Sequence, residues 1–297
     1  MNIRFNPPAD FLCEEERCGY TITADMKKVW AVQMDLLQVL FEVCNRHGLR
    51  IYAEGGTLLG AIRHKGYIPW DDDIDMTMMR EDYDRLMLLG DEFPHPYFLQ
   101  NVYTDPHYSH RHAQLRNSET ACWPWKEKGC AKQYNQGIFI DIFPSDNMPM
   151  NPRAFSRYYK REGLARQKYR CISKLTNALP ESVYNILRNK TKFFSDKCRY
   201  EDYENVLRSV QQREDGNVCE ISFQHNYPIV NRRLYGEPEW VEFEHIKMPI
   251  PQCPHDILRL QFGDNYMTPL HEDSVHGSLH FDVEHSYKEH LIGKSTK

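Results

Sequence analysis

Three aspartates carry the chemistry open to this 297-residue sequence. Asp73 and Asp75 stand two residues apart in the run WDDDIDM, Trp70 to Met76. In a strand, that spacing puts both carboxylates on one face, roughly 6–7 Å apart along the chain. Two like charges so close repel, and a divalent cation is the natural neutraliser. Mg2+ suits such a site, with water and substrate phosphates completing its octahedron, and Mn2+ is the alternative. The metal would polarise phosphoryl oxygens and neutralise charge on a leaving group. Asp141 is the third acid, in the middle of the apolar run GIFIDIF, Gly137 to Phe143. An ionised group without a partner is costly there. A share in the metal, or an acceptor hydroxyl to deprotonate, would explain it; a buried salt bridge or a capping role is the competing explanation.

Gly55 and Gly56 precede the acidic run by one element. Two glycines at a strand-to-helix junction let a phosphate approach backbone amides, and the helix beginning at Thr57, itself a candidate substrate contact, adds its positive N-terminal dipole. Arg63 and Lys65 follow, the first suited to bidentate phosphate contact and the second to a point charge. Arg116 is a further candidate phosphate ligand. Trp123, Trp125 and Tyr108 are candidates for an aromatic cage around a quaternary ammonium, although loop aromatics more often pack.

Rival readings of the acidic run fail or compete on the sequence. An EF-hand starting at Asp71 needs glycine at its sixth position and glutamate at its twelfth, where Met76 and Asp82 stand. No Walker A motif and no GxGxxG is present. A glycosyltransferase whose DxD holds a nucleotide sugar is the serious competitor, but a glycine pair one strand earlier is not usual for it.

The positioning elements are legible from periodicity. Trp30, Met34, Leu37, Phe41 and Cys44 make one apolar stripe on a helix over 24–47, with Thr23 as N-cap and Gly48 as stop. A strand over 49–54, a helix over 57–64, a loop over 65–71, a strand over 72–79 and a helix over 81–89 follow. In the second strand, Ile74, Met76 and Met78 face one way while Asp73 and Asp75 face the other. Residues 94–136 read as loops with short strands, 152–213 as polar basic helices broken near Pro180, and 216–250 as short strands and turns. Pro254 opens a helix that ends near Gly263. His271, His276, His280, His285 and His290 fit no known ligand spacing and are expected in a polar helical tail.

Composition narrows the class. Hydrophobic residues make up 41% and the formal net charge is −5, a globular chain without the basic face that nucleic acid demands. Neither a signal peptide nor a transmembrane stretch is evident. Nine scattered cysteines without a CxxC pair are read as reduced cytoplasmic thiols. Cys122 and Cys130 are close in sequence, but further zinc ligands are not evident, so ordinary thiols are expected.

The segment Glu54 to Asp75, with GIFIDIFPSDNMP (Gly137 to Pro149), the 24–47 helix and FGDNYM (Phe262 to Met267), resembles the LicD family of phosphotransferases, which is related to fukutin and fukutin-related protein. The resemblance implies an α+β nucleotidyltransferase fold: a small mixed sheet with packed helices, here with a helical appendage. It divides the chain into a catalytic core over 22–150, the appendage over 151–215, and a C-terminal segment over 216–297 that completes the domain. Residue by residue it puts Gly55 and Gly56 in the glycine turn, Asp73 and Asp75 in the metal pair, and Asp141 as the third acid, at once metal ligand and catalytic residue. The implied reaction moves a phosphorylated alcohol, such as phosphocholine, from a CDP-activated donor to a glycan or glycolipid hydroxyl. A cytoplasmic enzyme working at the inner face of the membrane is the matching expectation. The sequence itself carries no choline signature, and a non-catalytic relative is disfavoured by the intact aspartate set.

Overall fold

The structure, a computed structural model, describes residues 3–105, 108–130, 134–177, 179, 181–190, 195–269 and 279–291. Two short strands, β1 (Glu15–Arg17) and β2 (Tyr20–Ile22), precede α1 (Ala24–His47). Both predicted ends of α1 are present. The Thr23 hydroxyl accepts the Met26 N–H at 3.2 Å, and Gly48 takes the left-handed conformation (φ 58°) that closes a helix. The whole Trp30-to-Cys44 stripe is buried. At about 2 kcal/mol for each large apolar side chain, that burial rather than helix propensity holds α1 in place.

Next come β3 (Tyr52–Ala53), α2 (Gly55–Arg63), β4 (Asp75–Met79) and α3 (Arg80–Leu86). The strand thus begins at Asp75 rather than at residue 72. Asp71, Asp72 and Asp73 lie in the segment leading into it, so Asp73 and Asp75 do not share a strand face. The ladder explains the boundary: β4 pairs in parallel with a long strand whose Asp141 sits opposite Asp75, and the Asp141 N–H donates to Ile74 O at 2.9 Å. The helix also starts earlier than its periodicity suggests, for Gly55 and Gly56 form its first turn.

Three strands, β5 (Tyr97–Gln100), β6 (Ala113–Asn117) and β7 (Ala121–Pro124), lead to that long strand, β8 (Ile138–Met148). Helices α4 (Pro152–Asn177), α5 (Glu181–Lys190) and α6 (Asp196–Leu207) follow; Pro180 lies outside the described residues. The chain then returns through β9 (Asn217–Cys219), β10 (Val230–Asn231), β11 (Glu239–Phe243), β12 (Ile246–Ile250), α7 (Pro254–Phe262) and β13 (Leu279–Asp282). Pro254 at the first turn and Gly263 at the end of α7 match their expected roles.

One mixed sheet organises these elements in the order β10-β9-β8-β4-β3, with β6 also paired to β8 and β5 to β6. Only the β4–β8 pairing among these is parallel. Helix α1 packs across β8 and β6. The fold is α+β. The tail is not helical where it is described: β13 pairs antiparallel with β7, while His271 and His276 lie outside the described residues.

Helices α4 and α6 join the sheet through buried ions. Arg80 donates to both Asp146 oxygens at 2.7 and 3.0 Å and to Glu204 of α6 at 3.0 Å, with all three side chains at most 6% exposed. Glu162 of α4, fully buried, accepts from Arg166 and Tyr203 at 2.8 Å and pairs with His225 at 2.6 Å. No described helix is long and apolar enough to cross a membrane. All nine cysteines are unpaired.

Candidate active site

Parallel pairing decides where the acids meet. Asp75 and Asp141 are register partners on β4 and β8, so both side chains stand on the same sheet face on adjacent strands, roughly 5 Å apart at the backbone. On the other flank of β8, Gln114 is the antiparallel partner of Asp141. One row across the sheet therefore reads Gln114, Asp141, Asp75. The next residues on β4 and β8, Met76 and Ile142, are fully buried on the opposite face.

Helix α1 holds the acidic run from behind. Trp30 Nε1 donates to Asp71 O at 3.1 Å, and Gln33 Nε2 donates to Asp72 O at 2.8 Å. The Trp30 ring stacks on Tyr67 with 4.3 Å between centroids. The stripe of α1 is thus a packing face that also fixes the backbone of Asp71 and Asp72. Carboxylate oxygens of Asp71, Asp72 and Asp73 lie within 4.8 Å of one another, and the first two residues are 7% exposed. Asp71 was not singled out from the sequence, although its place in the DDD run was a signal for it.

The first turn of α2 lies against these acids. A Cβ built on Gly56 would be 2.9 Å from Asp71 Oδ2, so any side chain there would push the Asp71 carboxylate away from the helix. Gly55, at φ 52°, has the Asp75 carboxylate 3.8 Å from the same virtual position. Thr57 contributes differently from a phosphate ligand: its buried hydroxyl accepts the Asp75 N–H at 2.9 Å and locks α2 to the start of β4. The leading amides of any helix have no partner within it.

Asp141 is closely held. His112 Nε2 lies 2.9 Å from its Oδ1, and Gln114 Nε2 donates to the same oxygen at 2.7 Å. Burial works to raise this carboxyl, but His112 and Gln114 outweigh it, and the group sits below the usual aspartate value. Neither partner was identified from sequence. Arg116, expected as a phosphate ligand, is buried and engaged: it donates to Gln114 Oε1 and Gly137 O, both at 2.5 Å, and to Gln100 Oε1. It orients the glutamine that orients Asp141.

A cleft of about 520 Å3 opens at the Asp75 end of this row, lined by Gly55, Gly56, Arg63, Asp71, Asp73 and Asp75; Asp141 and Gln114 are not among its lining residues. Its aromatic walls are Trp70, Phe223, Tyr227, Phe262 and Tyr266. Arg63 lines it while donating to Tyr266 O at 2.7 Å. Lys65, at φ 54°, is exposed and does not line it. Trp123 and Trp125 do not line it either; they lie on and beside β7, against His280. Tyr108 is fully buried in a second hydrophobic cluster. A second cavity of about 390 Å3, bordered by His112, Arg111, Arg170 and Lys174, shares Phe223 with the first. The row His112, Phe143, Phe223, Tyr227 links the two by ring contacts of 4.5, 4.9 and 5.7 Å.

Behind the glycines, Glu54 is 1% exposed and accepts from Tyr227 at 2.9 Å, from Tyr235 at 3.4 Å and from Gln261. Burial raises its carboxyl above the ordinary value despite these donors. Burial, with Glu54 adding to it, likewise keeps the Glu220 carboxyl well above its ordinary value. Cys122 and Cys130 are buried thiols, and neither belongs to a described group of three converging metal-ligand atoms.

Residues 48–168 match the family model described as LicD/FKTN/FKRP, nucleotidyltransferase domain. The chain is similar to the lipopolysaccharide cholinephosphotransferase LicD of Haemophilus influenzae, at 25% identity over 254 residues that take in 82% of this chain and 91% of that protein. A stretch of 35 residues, 12% of this chain and 7% of the relative, is 54% identical to the ribitol 5-phosphate transferase FKRP of Homo sapiens, and equally to that of Mus musculus.

Proposed function

We propose that this chain, whose residues 48–168 match the family model described as LicD/FKTN/FKRP, nucleotidyltransferase domain, moves a phosphorylated alcohol of the phosphocholine type from a CDP-activated donor to a hydroxyl of a cell-surface glycan or its precursor. One observation carries the reading. Asp75 and Asp141 stand side by side on the sheet, and the first turn of α2 comes against Asp71 and Asp75 in a single cleft. Phosphate-facing amides and clustered carboxylates are the two things phosphoryl transfer needs, because positioning and charge stabilisation supply most of its catalysis. The fold we assign is the nucleotidyltransferase type. Residues 22–150 and 216–297 make the catalytic unit, and 151–215 are appended; the pairing of β9 with the end of β8 supports joining the two parts.

The donor pyrophosphate would lie at the leading amides of α2, with Arg63 at its edge. All-oxygen donors within 4.8 Å fit a hard cation, Mg2+ or Mn2+. Asp71, Asp72 and Asp73, with Asp75 beside them in the cleft, would hold it, which leaves Asp141 to act chiefly as the base. When bound, it supplies charge neutralisation on the phosphoryl oxygens. The acceptor oxygen forms a bond to the phosphorus that bears the alcohol, the bond from that phosphorus to CMP breaks, and the acceptor proton passes to Asp141. His112 and Gln114 both hold Oδ1, which directs the proton to Oδ2. The aromatic walls of the cleft suit a quaternary ammonium, a role expected of Trp123 and Trp125.

The test is a donor panel. With Mg2+, calorimetry is expected to show CDP-choline or CDP-ribitol binding and UDP-sugars failing to bind. Asp75→Asn should weaken donor affinity by at least about tenfold, or about 1.4 kcal/mol. Tight binding of a UDP-sugar, with no response to CDP-alcohols, would replace this reading with glycosyl transfer.

A further inference from the structure

The last described segment returns to the hairpin between β6 and β8 and is fastened there by its backbone. Beyond the β13–β7 pairing, Tyr287 N–H donates to Thr120 O at 2.8 Å, Ser286 Oγ to Ser118 O at 2.7 Å, and Cys130 N–H to His290 O at 2.9 Å. These contacts bring Asp282, His285 and His290 together, away from the acidic cleft.

The side chains converge on one point. Asp282 Oδ1 accepts the backbone N–H groups of Glu284 and His285 at 2.8 and 3.0 Å, which turns Oδ2 toward the imidazoles. His285 Nδ1 lies 3.0 Å from that oxygen and His290 Nε2 lies 2.9 Å from it. All three candidate ligand atoms fall within 4.8 Å of one another. Ligands on a tetrahedral ion with bonds of about 2.0–2.1 Å are separated by roughly 3.3 Å, so the two nitrogen–oxygen separations need to widen by only a few tenths of an ångström to seat one. The ring of Trp123 packs 4.8 Å from that of His290 and braces it from the sheet side.

We propose that Asp282, His285 and His290 form a binding site for a zinc-class divalent transition metal, with water in the fourth position. Two imidazole nitrogens and one carboxylate oxygen are a borderline donor set, which favours Zn2+, Co2+ or Ni2+ and is poor for Mg2+. The site differs in this from the all-carboxylate group of Asp71, Asp72 and Asp73. Its ligands bracket the turn after β13, so a bound ion would close that turn on itself. The proposal stands apart from the transfer reaction and does not depend on it.

The test uses the full chain, stripped with chelator and titrated with Co2+ in excess Mg2+, read by elemental analysis and visible absorption. The expected result is one Co2+ per chain, with ligand-field bands, no thiolate-to-cobalt charge-transfer band, and displacement by Zn2+. His285→Ala changes an exposed side chain and should lower Co2+ affinity at least about tenfold, as loss of even an outer partner of a metal ligand does. Asp282→Asn should do the same, and Asp73→Asn should leave it unchanged. His285→Gln, with circular dichroism, separates lost ligation from lost folding. Absence of Co2+ binding, a thiolate band, or Co2+ affinity undiminished from the parent chain in both His285 variants would overturn the proposal and leave Asp282 as a hydrogen-bonding bridge between two histidines.

Discussion

Gly56→Ala and Gly60→Ala change the same helix by one methyl group each and should fail in opposite ways. A Cβ at Gly60 would stand 2.5 Å from Gly66 O and 3.3 Å from Ile68 N, both backbone atoms, so the 66–68 segment itself must move. Overpacking of this kind costs about 1–3 kcal/mol, offset by the ~0.5–1 kcal/mol that alanine gains over glycine inside a helix. The net loss, up to about 2.5 kcal/mol, lowers the Tm by up to roughly 10 °C for a chain of this size. At Gly56 the near atoms are Asp71 Oδ2 at 2.9 Å and Ile68 Cδ1 at 4.0 Å, both side-chain ends that can swing away. Stability should then change by no more than about 0.5 kcal/mol. The methyl group, however, displaces Asp71 and crowds the helix's leading amides, so donor affinity should fall at least about tenfold, or ~1.4 kcal/mol. Thermal unfolding and donor calorimetry on both variants give the four numbers. Equal loss of Tm in the two, with donor affinity intact in Gly56→Ala, would refute the claim that this glycine makes room for a site.

Arg80→Met should destabilise the chain by about 3–5 kcal/mol in urea unfolding, because Asp146 and Glu204 would be left buried without their shared cation. Asp141→Asn should keep donor affinity within about twofold while single-turnover transfer falls by about 10²–10⁴, the usual worth of a general base. Loss of both metal and donor binding would make Asp141 a ligand instead. His64 gives a pH signature: burial, reinforced by Arg63, lowers its imidazole to about 4. The fold also needs it neutral, since its Nε2 accepts the Arg63 Nε–H at 2.8 Å. Between pH 6.5 and 4 the unfolded chain takes up a proton that the folded chain refuses, so stability should decline as pH falls through that window. His64→Gln should flatten that slope in pH-dependent thermal unfolding, and an unchanged slope would assign it to other groups.

Local signals in the sequence account for what could be read from it. Thr23, the Trp30-to-Cys44 stripe and Gly48 define α1 because caps and periodicity act within a few residues. Asp141 was visible because a charge inside an apolar strand needs a reason. Alternation over 72–79 predicts a strand from residue 72, but only pairing with β8 fixes where the ladder begins, at Asp75. The partners of the site were hidden for the same cause. His112 and Gln114 meet Asp141 across a strand pair 27 to 29 residues apart, and Tyr227 and Gln261 reach Glu54 across 173 and 207 residues. Arg116 resembled any strand arginine until its donors were seen directed to Gln100, Gln114 and Gly137. The histidines of the tail lacked a familiar spacing because their grouping depends on the return of β13 to β7.

Following the phosphorus tests the central claim most directly. CDP-choline carrying radiolabel on the phosphorus next to choline, and a second label in the choline, can be offered with a glycan acceptor mixture, Mg2+ and the full chain in single-turnover conditions. The account predicts that both labels arrive together on the acceptor, that unlabelled CMP is released in equal amount, and that Asp75→Asn abolishes both. Phosphorus label retained on the nucleotide, or cytidine found on the acceptor, would contradict it.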